Sequence, residues 1–546
     1  MHRCICLLLA LLTLSLTACS VGGDSEKSGA GHSFSYTLVG NPDTLDPQLA
    51  SNSSAKTVLA NLFEGLFVLD DSGSVQNGLV KDYTVSEDGL CYDFTLRDDS
   101  YWYQAIGDSK AFDSEAKKAV TAKDFVYAFK RLFDPLYASP YRETFACIEN
   151  AAAITAGEQD SSMIGVYAAD ATRLQIRLDY PNASFPLLLT TTAALPCNEE
   201  FFESTKGRYG LDENSVIGNG SFAMQRWLYD PYGKYNVIQL CRNPLNHEVN
   251  RVYPVDLSFF IEESESDAKA VFTNGKADCY AATVNDLTDM DGLTVTGAYS
   301  MTLGLCANPD SDFGRAEEIF EAMQLALDYS AVPQQKDSLL PGSGILPPAS
   351  TLMNKSCREL LSDAAYQKYD SAAAEAKLRA GMTLLGLEEL PEGQILVPNG
   401  LMDYEALLDV IAQWKDKLGL HLRLEAVPQA EYDRRLANGS YDLALCAAAG
   451  EDPDPAALLS GFLSQPFLHC EKEAQVRGLL KQAAASGSLS ENVELFRQAE
   501  AAILSDACFI PLFYKQRMLF SKQGVADVHF NPFTGQVQFS EAKYFG

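Results

Sequence analysis

Three carboxylates lie close together near the C-terminal end of the chain, at Glu451, Asp452 and Asp454. They follow residues 441–450, whose sequence YDLALCAAAG predicts a buried strand that ends at a glycine. Because α/β proteins usually bind ligands at the carboxyl ends of strands, a carboxylate here would meet a cationic group of a ligand. The alternative is a solvated acidic turn, since Asp-Pro pairs commonly begin turns. We expect Asp454, between the two prolines, to be exposed in the outer part of this turn.

Residue patterns typical of catalytic or metal sites are absent from the sequence. The six histidines are dispersed, at positions 2, 32, 247, 421, 469 and 529, and no two have the spacing of a zinc motif. There is no Gly-x-Ser-x-Gly nucleophile motif and no Cys-x-x-Cys pair. We therefore expect no metal, no cofactor and no enzymatic activity. A secreted hydrolase that uses paired carboxylates stays open as an alternative, because Asp and Glu residues are numerous.

The chain is strongly acidic and has the composition of a well-packed globular protein. It carries 42 Lys and Arg residues against 73 Asp and Glu residues, a formal net charge of −31, and 47% of its residues are hydrophobic. A surface of this charge excludes nucleic acid as a partner, because phosphate binding needs clustered cations. At about 150 residues per domain, the length of 546 residues corresponds to roughly three domains.

The N-terminus predicts an export signal and a lipid anchor. A short basic start and an apolar run within residues 1–18 are typical of a secretory signal peptide. Cys19 follows Leu-Thr-Ala and resembles the lipidated first residue of mature bacterial lipoproteins. Lipid chains there would hold the protein on a membrane surface, with residues 19–30 as a flexible tether. The cysteines beyond Cys19 are scattered singly, and their spacing does not decide whether any form disulfides.

Predicted strands and helices alternate along the chain, which favours an α/β fold. Strands are predicted over residues 34–39, 92–97 and 420–424, and helices over residues 58–66, 122–131 and 410–415. Thr121 has the position of an N-cap for the second helix, and Gly419 has the position of a C-cap after the third. Trp102 and Trp414 are expected in the core. Residues 218–220, Gly-Asn-Gly, indicate a tight turn rather than a phosphate-binding loop.

Short segments along the chain resemble, in order, the bacterial extracellular solute-binding proteins of family 5, the oligopeptide- and dipeptide-binding components of ABC importers. Each segment alone is ordinary strand, turn or helix, so the specificity comes from their shared order from about residue 33 to residue 546. The matching segments are residues 44–47, 62–66, 86–89, 95–97, 121–128, 217–222, 241–244, 275–278, 322–328, 441–443, 454–455, 499–500 and 510–512.

The resemblance implies an α/β fold of the periplasmic-binding-protein type, of class II and cluster C. Such a fold has two lobes hinged around a central cleft, with an extra subdomain on the first lobe. Domain I would be discontinuous and take residues 31–64, 188–300 and 509–546. Domain II, the extra subdomain, would take residues 65–187, and domain III residues 301–508. A chain that passes between lobes more than once forms hinge segments that allow closure on a ligand.

The resemblance also implies a ligand site at the acidic turn. Similar proteins pair an extended peptide with strand edges and bind its N-terminal ammonium with an aspartate, whose position corresponds to Glu451. Because glutamate is one methylene longer, Asp452 is an alternative partner for the ammonium. Small residues stand just upstream where relatives often carry larger ones, which implies a wide pocket wall: Ala447, Ala448, Ala449 and Gly450. The other implied ligand contacts are Ser51, Asn52, Ser53 and Tyr141.

The implied function is transport. We expect a monomeric lipoprotein, extracytoplasmic and anchored to the cell membrane through Cys19, that captures short oligopeptides in the cleft. It would deliver them to the transmembrane subunits of an ABC permease. Relatives of the same fold bind oligosaccharides, metal chelates or haem, so a non-peptide solute is the alternative ligand.

Overall fold

The computed structural model of the protein describes residues 31–70, 73–105, 117–233, 235–282, 292–332, 339–353, 355–361, 369–390, 392–402 and 404–546. The predicted signal peptide, Cys19 and the tether up to residue 30 lie outside the described residues. Within those ranges, no helix is long and apolar enough to cross a lipid bilayer.

The described residues form many short strands and helices that alternate along the chain. The strands are β1 (Phe34–Val39), β2 (Phe67–Leu69), β3 (Val75–Asn77), β4 (Val80–Val85), β5 (Cys91–Leu96), β6 (Val166–Ala168), β7 (Arg173–Arg177), β8 (Phe222–Leu228), β9 (Val237–Arg242), β10 (Asp256–Glu262), β11 (Cys279–Ala282), β12 (Leu293–Ala307), β13 (Leu339–Pro341), β14 (Thr351–Leu352), β15 (Lys355–Ser356), β16 (Gly393–Pro398), β17 (Leu422–Val427), β18 (Leu443–Ala449), β19 (Ile510–Lys522), β20 (Val525–Ala526), β21 (His529–Phe530), β22 (Val537–Gln538) and β23 (Lys543–Tyr544). The α-helices are α1 (Ser53–Leu62), α2 (Ala122–Phe133), α3 (Ala151–Thr155), α4 (Phe185–Leu188), α5 (Glu199–Ser204), α6 (Glu265–Thr273), α7 (Glu317–Leu325), α8 (Cys357–Leu361), α9 (Ser371–Leu385), α10 (Glu405–Leu418), α11 (Gln429–Ala437), α12 (Pro455–Leu463), α13 (Glu473–Ala485) and α14 (Leu489–Leu504).

A large mixed sheet organises the fold. Its strand order is β17-β16-β18-β12-β19-β11-β1-β10-β9-β8, with β13 paired to β19 beside this path. The parallel pairs are β16 with β17 and β18, and β1 with β10 and β11. Sheet strands that alternate with covering helices make the protein α/β, which confirms the predicted fold class.

Two long antiparallel strands, β12 and β19, join the two halves of this sheet. One end of β19 pairs with β11, in the half that contains β1 and β8–β10, which we call the first lobe. The other end of the pair lies beside β18 and β16, in the half that we call the second lobe. The register of β12 against β19 shifts between Tyr299 and Met301, close to the passage from one lobe to the other.

A separate four-stranded sheet, with the order β4-β5-β7-β6, forms within the N-terminal third of the chain. Helix α2 packs against β6 and β7 and buries Phe125 and Phe129. The carboxylate of Asp124 accepts hydrogen bonds from the backbone N–H and the hydroxyl of Thr121, at 2.7 and 2.9 Å. This reciprocal capping arrangement confirms the predicted start of the helix.

Helix α1 covers residues 53–62, whereas the apolar spacing predicted a helix over residues 58–66. The difference comes from the Gly-Asn-Gly segment at residues 218–220. The backbone N–H groups of Asn219 and Gly220 donate to the carbonyl of Leu62, at 3.1 and 2.9 Å, and so take the place of a further helical turn. A Cβ atom on Gly218 would lie 2.2 Å from the same carbonyl oxygen, so this close approach requires glycine.

The predicted succession of helix, glycine and strand after residue 405 is confirmed. Helix α10 ends before Gly419, which adopts the left-handed conformation with φ of 71°, and β17 follows. Trp414 is fully buried on this helix, and its indole N–H donates to the carbonyl of Met323 at 2.7 Å. Trp102 is also fully buried, in the core of the first lobe. Both tryptophans are core residues, as predicted.

Two buried ion pairs stabilise the lobes from within. In the first lobe, the guanidinium of Arg131 pairs with Asp46 and also donates to the side-chain oxygen of Gln48 at 2.8 Å. In the second lobe, the fully buried carboxylate of Glu500 pairs with Arg358 and accepts backbone N–H bonds. Removing one partner of such a pair leaves an uncompensated buried charge, which is strongly destabilising.

Candidate ligand-binding cleft

Strand β18 presents an open backbone edge near the boundary between the lobes. It pairs with β12 over its whole length, from Leu443 opposite Ala307 to Ala449 opposite Met301. On its other side, β16 pairs only with Leu443 and Ala444. The carbonyl of Leu445 accepts a hydrogen bond from the Tyr432 hydroxyl at 2.8 Å. Within the part of the chain that the structure describes, no strand covers this side of residues 446–449.

The small side chains at the end of β18 lie on opposite faces of the sheet. Ala447 and Ala449 share one face, where Ala447 is half-buried and Ala449 is exposed. Ala448 lies on the other face, fully buried in the second-lobe core with Leu458 of α12. Only the backbone of Ala448 is therefore available to a ligand. Gly450, which follows the strand, is half-buried.

Glu451 already has a cationic partner, and this partner comes from the other lobe. Its carboxylate forms an ion pair with the ammonium of Lys56 on α1. The Lys56 side chain is only 9% exposed, whereas that of Glu451 is 40% exposed. The Lys56 ammonium also lies 5.6 Å from the ring centroid of Tyr141. The ion pair therefore spans the boundary between the lobes and leaves one side of Glu451 accessible.

Asp452 and Asp454 are buried beneath the turn. The carboxylate of Asp452 accepts the backbone N–H of Asp454 at 2.8 Å, and burial raises its pKa to about 8, assisted by the charge of Asp454. Asp454 is the N-cap of α12, where it accepts the N–H groups of Ala456 and Ala457 at 3.2 and 3.3 Å. Burial also raises the pKa of Asp454, and hydrogen bonds from the N–H groups of Ala456 and Ala457 and from the Ser184 side chain oppose this rise.

The expectation that Asp454 is exposed in an outer turn is wrong. The Asp-Pro pair begins a helix rather than a solvated turn, and the side chain is 7% exposed. Its contact with Ser184, which follows the four-stranded sheet of the first lobe, places it at the boundary between the lobes. Asp452 is 3% exposed, so its carboxylate is directed into the protein rather than toward a ligand.

The predicted residues of the first lobe surround the start of α1. Asn52 is its N-cap and accepts the N–H of Ala55 at 2.8 Å, and Ser53 is its exposed first residue. The N–H and hydroxyl of Ser51 both donate to Asp43, at 2.9 and 2.6 Å. These hydrogen bonds fix the loop from which the helix begins.

Tyr141 joins this group from a different part of the chain. It is 6% exposed, and its hydroxyl donates to the carbonyl of Ala50 just before α1. Burial raises the pKa of Tyr141, and the charges of Glu451 and Asp43 raise it further. The structure therefore brings Ser51, Asn52, Tyr141 and Glu451 together, with Lys56 between the two lobes.

Two further contacts connect the lobes at α13 of the second lobe. The ammonium of Lys481 lies 4.6 Å from the ring centroid of Tyr180, which follows β7. The backbone N–H of Ala183 donates to the carbonyl of Ala484 at 3.0 Å. Together with the Lys56–Glu451 pair, these contacts show that the second lobe meets the first both at α1 and at the segment that follows β7.

Comparison with known proteins identifies the family. A family model described as "Bacterial extracellular solute-binding proteins, family 5 Middle" matches residues 74–467. The chain belongs to this family. The solute-binding proteins of this family are not enzymes, and the chain matches their model along most of its length.

Relatives of this solute-binding protein are distant in sequence, and several of them cover most of it. The oligopeptide-binding protein OppA of Bacillus subtilis is 23% identical over 98% of this chain and 98% of its own. The probable deoxycholate-binding periplasmic protein YgiS of Escherichia coli is 23% identical over 88% of both chains. The solved structure of Listeria monocytogenes OppA bound to peptide has a TM-score of 0.73, with 19% identity over 94% of this chain and 99% of that one. That likeness confirms the two-lobed fold of periplasmic binding proteins.

A cavity of about 300 Å³ lies between the lobes of this solute-binding protein. Its first-lobe wall is largely apolar, with Phe63, Phe67 and Leu195, and residues 529–538 close one side. Ala349, Thr351, Glu451 and Pro453 line it from the second lobe. Of the residues predicted to contact a ligand, Glu451 is the one that lines this cavity, while the others lie around α1 and along β18.

Sequence reasoning missed Lys56 and the aromatic cavity wall. The signal for Lys56 was present, since a lysine stands among the small and apolar residues of SSAKTVLANL, and a charge on a buried helix face needs a partner. Its partner is 395 residues away along the chain, so no local pattern indicated Glu451. Phe63 and Phe67 resembled ordinary core residues and carried no distinguishing pattern.

Three possible metal ligands also come together, but away from the cleft. The side chains of Cys470, Asp506 and Cys508 have donor atoms within 4.8 Å of one another. The Asp506 carboxylate already accepts the N–H of Glu471 at 2.5 Å and lies 3.7 Å from the ammonium of Lys472. A cation beside the one carboxylate does not favour a metal ion at this position.

Proposed function

We propose that this solute-binding protein captures short oligopeptides in the cleft between its lobes and delivers them to the membrane subunits of an ABC permease. The observation that carries the proposal is the open edge of β18 at residues 446–449, which leads directly to Glu451 in the wall of the interlobe cavity. An extended peptide can add to such an edge through its backbone, largely independently of its sequence. Several relatives are named as oligopeptide- or dipeptide-binding proteins, which supports this ligand class.

The proposed ligand contacts follow from the positions of the predicted residues. The backbones of Ala447, Ala448, Ala449 and Gly450 would pair with the peptide, and the small side chains of Ala447 and Ala449 leave room beside it. Ser51, Asn52, Ser53 and Tyr141 would form the facing wall and hold the start of α1. Glu451 would contact the ligand directly, whereas Asp452 would support the turn from inside.

Opening and closing would occur about the strands that cross between the lobes. We place the hinge near the register shift of β12 between Tyr299 and Met301, because bulged strands bend more readily than regular ones. The proposed division is domain I at residues 31–64, 188–300 and 509–546, domain II at residues 65–187 and domain III at residues 301–508. Closure would bury the ligand between the edge of β18 and α1.

The proposal includes export and anchoring. The family is extracellular, and we propose that residues 1–18 direct export, that Cys19 carries a lipid and that the folded part acts as a monomer outside the cell membrane. An anchored binder stays near its permease, which raises the effective concentration of captured ligand at the transporter.

The test is to incubate the purified protein with a random pentapeptide library, separate bound from free material and analyse both by mass spectrometry. We expect intact peptides in the bound fraction, which are released on unfolding. Cleaved peptides would indicate a hydrolase and would overturn the proposal.

A second candidate ligand is an amphipathic apolar solute, favoured by the aromatic cavity wall and by the relative named as deoxycholate-binding. The same assay with deoxycholate added distinguishes a peptide ligand from an amphipathic apolar ligand. Retention of deoxycholate without any retained peptide would replace the peptide proposal.

A further inference from the structure

Lys56 is already paired with Glu451, the carboxylate that a peptide ammonium would need as its partner. Its ammonium pairs with Glu451 across the lobe boundary, and its side chain is 91% buried, the complement of its 9% exposure. Within the described residues, Glu451 is the one carboxylate in an ion pair with Lys56. Because an unpaired buried ammonium is very costly, Lys56 is held to Glu451 where the lobes meet.

The other carboxylates at the cavity are also occupied. Glu64 pairs with the ring of His247 at 2.8 Å, and Asp70 accepts the N–H of Ser74 at 3.0 Å. Asp43, close to Tyr141, accepts hydrogen bonds from Ser51 and from the N–H groups of its own loop. Among the described residues, each carboxylate that lines the cavity is therefore hydrogen-bonded or ion-paired within the protein.

A ligand ammonium placed at Glu451 would put two cations beside one carboxylate in a space that closure desolvates. Charges of the same sign repel more strongly there than in water. A neutral group meets no such repulsion. It could be an acylated N-terminus, or a peptide bond of a longer chain that continues past Glu451. It could still accept a hydrogen bond from Lys56 or align with the edge of β18.

We propose that Lys56 is a specificity-determining residue that supplies the cation from the protein, so that the site takes peptides with a neutral group at Glu451. The inference rests on the proposed peptide-binding function and deepens it. Under this inference the protein binds peptides whose N-terminus is blocked or lies outside the site. Lys56 is then the side chain that makes a free amine unnecessary.

The test uses one random pentapeptide library prepared in two forms, with free and with acetylated N-termini, mixed in equal amounts. The wild-type protein should retain the acetylated form at least as well as the free form. The Lys56→Met variant leaves Glu451 without a partner, so it should prefer the free amine by about thirty-fold or more. The double variant Lys56→Met with Glu451→Gln should again show no preference.

Lys481→Met is the matched control, because Lys481 also bridges the lobes but contacts Tyr180 rather than Glu451. It should leave the ratio of the two retained forms at the wild-type value. A wild-type preference for the free amine of more than about threefold would overturn the inference, and this measurement does not depend on how any variant folds. If neither form is retained, the proposed peptide-binding function itself is overturned.

A separate observation concerns Cys470 and Cys508 at the base of the second-lobe helical hairpin. Cys470 precedes α13 and Cys508 precedes β19, so the two residues enclose α13 and α14. Their sulfur atoms lie within 4.8 Å of each other, and this contact, together with burial, raises the pKa of Cys508. Both cysteines are half-buried.

The geometry points to a disulfide between Cys470 and Cys508 in the exported protein. With oxidised glutathione as the oxidant, the Cys470 thiolate attacks its S–S bond and releases one glutathione thiolate. Cys508 then loses its proton to solvent, attacks the mixed disulfide and releases the second glutathione. One S–S bond forms in the protein, one breaks in the oxidant, and two protein thiols are exchanged for two glutathione thiols. The cross-link would hold the hairpin whose Lys481 and Ala484 meet the first lobe.

Treatment of the full chain with oxidised glutathione, followed by peptide mapping, tests this bond. We expect a Cys470–Cys508 cross-link, a rise in Tm of several degrees, reversal by dithiothreitol and loss of both effects in Cys470→Ser. Absence of the cross-linked peptide would overturn the inference. The inference would also be overturned if the reduced wild-type protein bound one equivalent of zinc and the Cys470→Ser variant bound none. The thiols would then be metal ligands.

Discussion

The substitution Glu500→Gln tests how much the buried ion pair of the second lobe contributes to stability. Glu500 is fully buried on α14, accepts the N–H groups of Ile345 and Leu346 at 2.7 and 2.8 Å, and pairs with Arg358 at 2.5 Å. Glutamine keeps the size and one acceptor oxygen but removes the charge opposite a guanidinium that is 7% exposed. Breaking one side of a buried pair costs about 3–5 kcal/mol of unfolding free energy.

For a lobe of this size, that cost corresponds to a fall in Tm of roughly 6–20 °C, which differential scanning calorimetry measures directly. The control is Glu494→Gln on the same helix, because Glu494 is 53% exposed and pairs with Arg497, which is 34% exposed. An exposed pair contributes less than about 1 kcal/mol, so the control should barely change Tm. Equal shifts for the two variants would refute the reasoning that burial makes the Glu500 pair essential.

Three further predictions concern pH, anchoring and motion. Burial raises the pKa of Asp452 to about 8, above its value in the unfolded chain. The contribution of Asp452 to the free energy of unfolding is therefore fully present below about pH 4 and is lost as the pH rises through about 8. Urea unfolding should show this loss in the wild type but not in Asp452→Asn. Equal pH dependence in the two proteins would contradict the prediction. Cys19→Ser should release the protein into the medium or leave it unprocessed while the folded part is unaffected, and a processed variant that stays on the membrane would exclude the lipid anchor. Small-angle scattering should show a smaller radius of gyration when a retained peptide saturates the protein, whereas an unchanged radius would indicate a rigid body without hinge closure.

Local chemistry was sufficient to predict those elements whose signals are contained within a few residues. The capping arrangement of Thr121 with Asp124 begins α2 where the sequence indicates, and Gly419 ends α10 as predicted. Strand β18 was predicted from its apolar, small-residue composition. In each case the determining interaction is with the backbone or with residues nearby in sequence.

The features that the sequence did not reveal depend on contacts between distant segments. Helix α1 ends early because Asn219 and Gly220 bind its last carbonyl, and Glu451 is neutralised by a lysine of the other lobe. Asp454 is buried rather than exposed because it caps a helix that packs at the lobe boundary. A prediction from spacing alone has no access to these partners, so it located the acidic turn but missed the lysine that pairs with Glu451 and the burial of Asp454.

The central claim is that a peptide binds by adding to the open edge of β18 between the lobes. Hydrogen–deuterium exchange, with and without a saturating peptide taken from the retained library fraction, tests it most directly. The account predicts slower exchange of the backbone amides of residues 446–449 and of α1 when the peptide is bound. Unchanged exchange across residues 446–449 with the peptide demonstrably bound would contradict it.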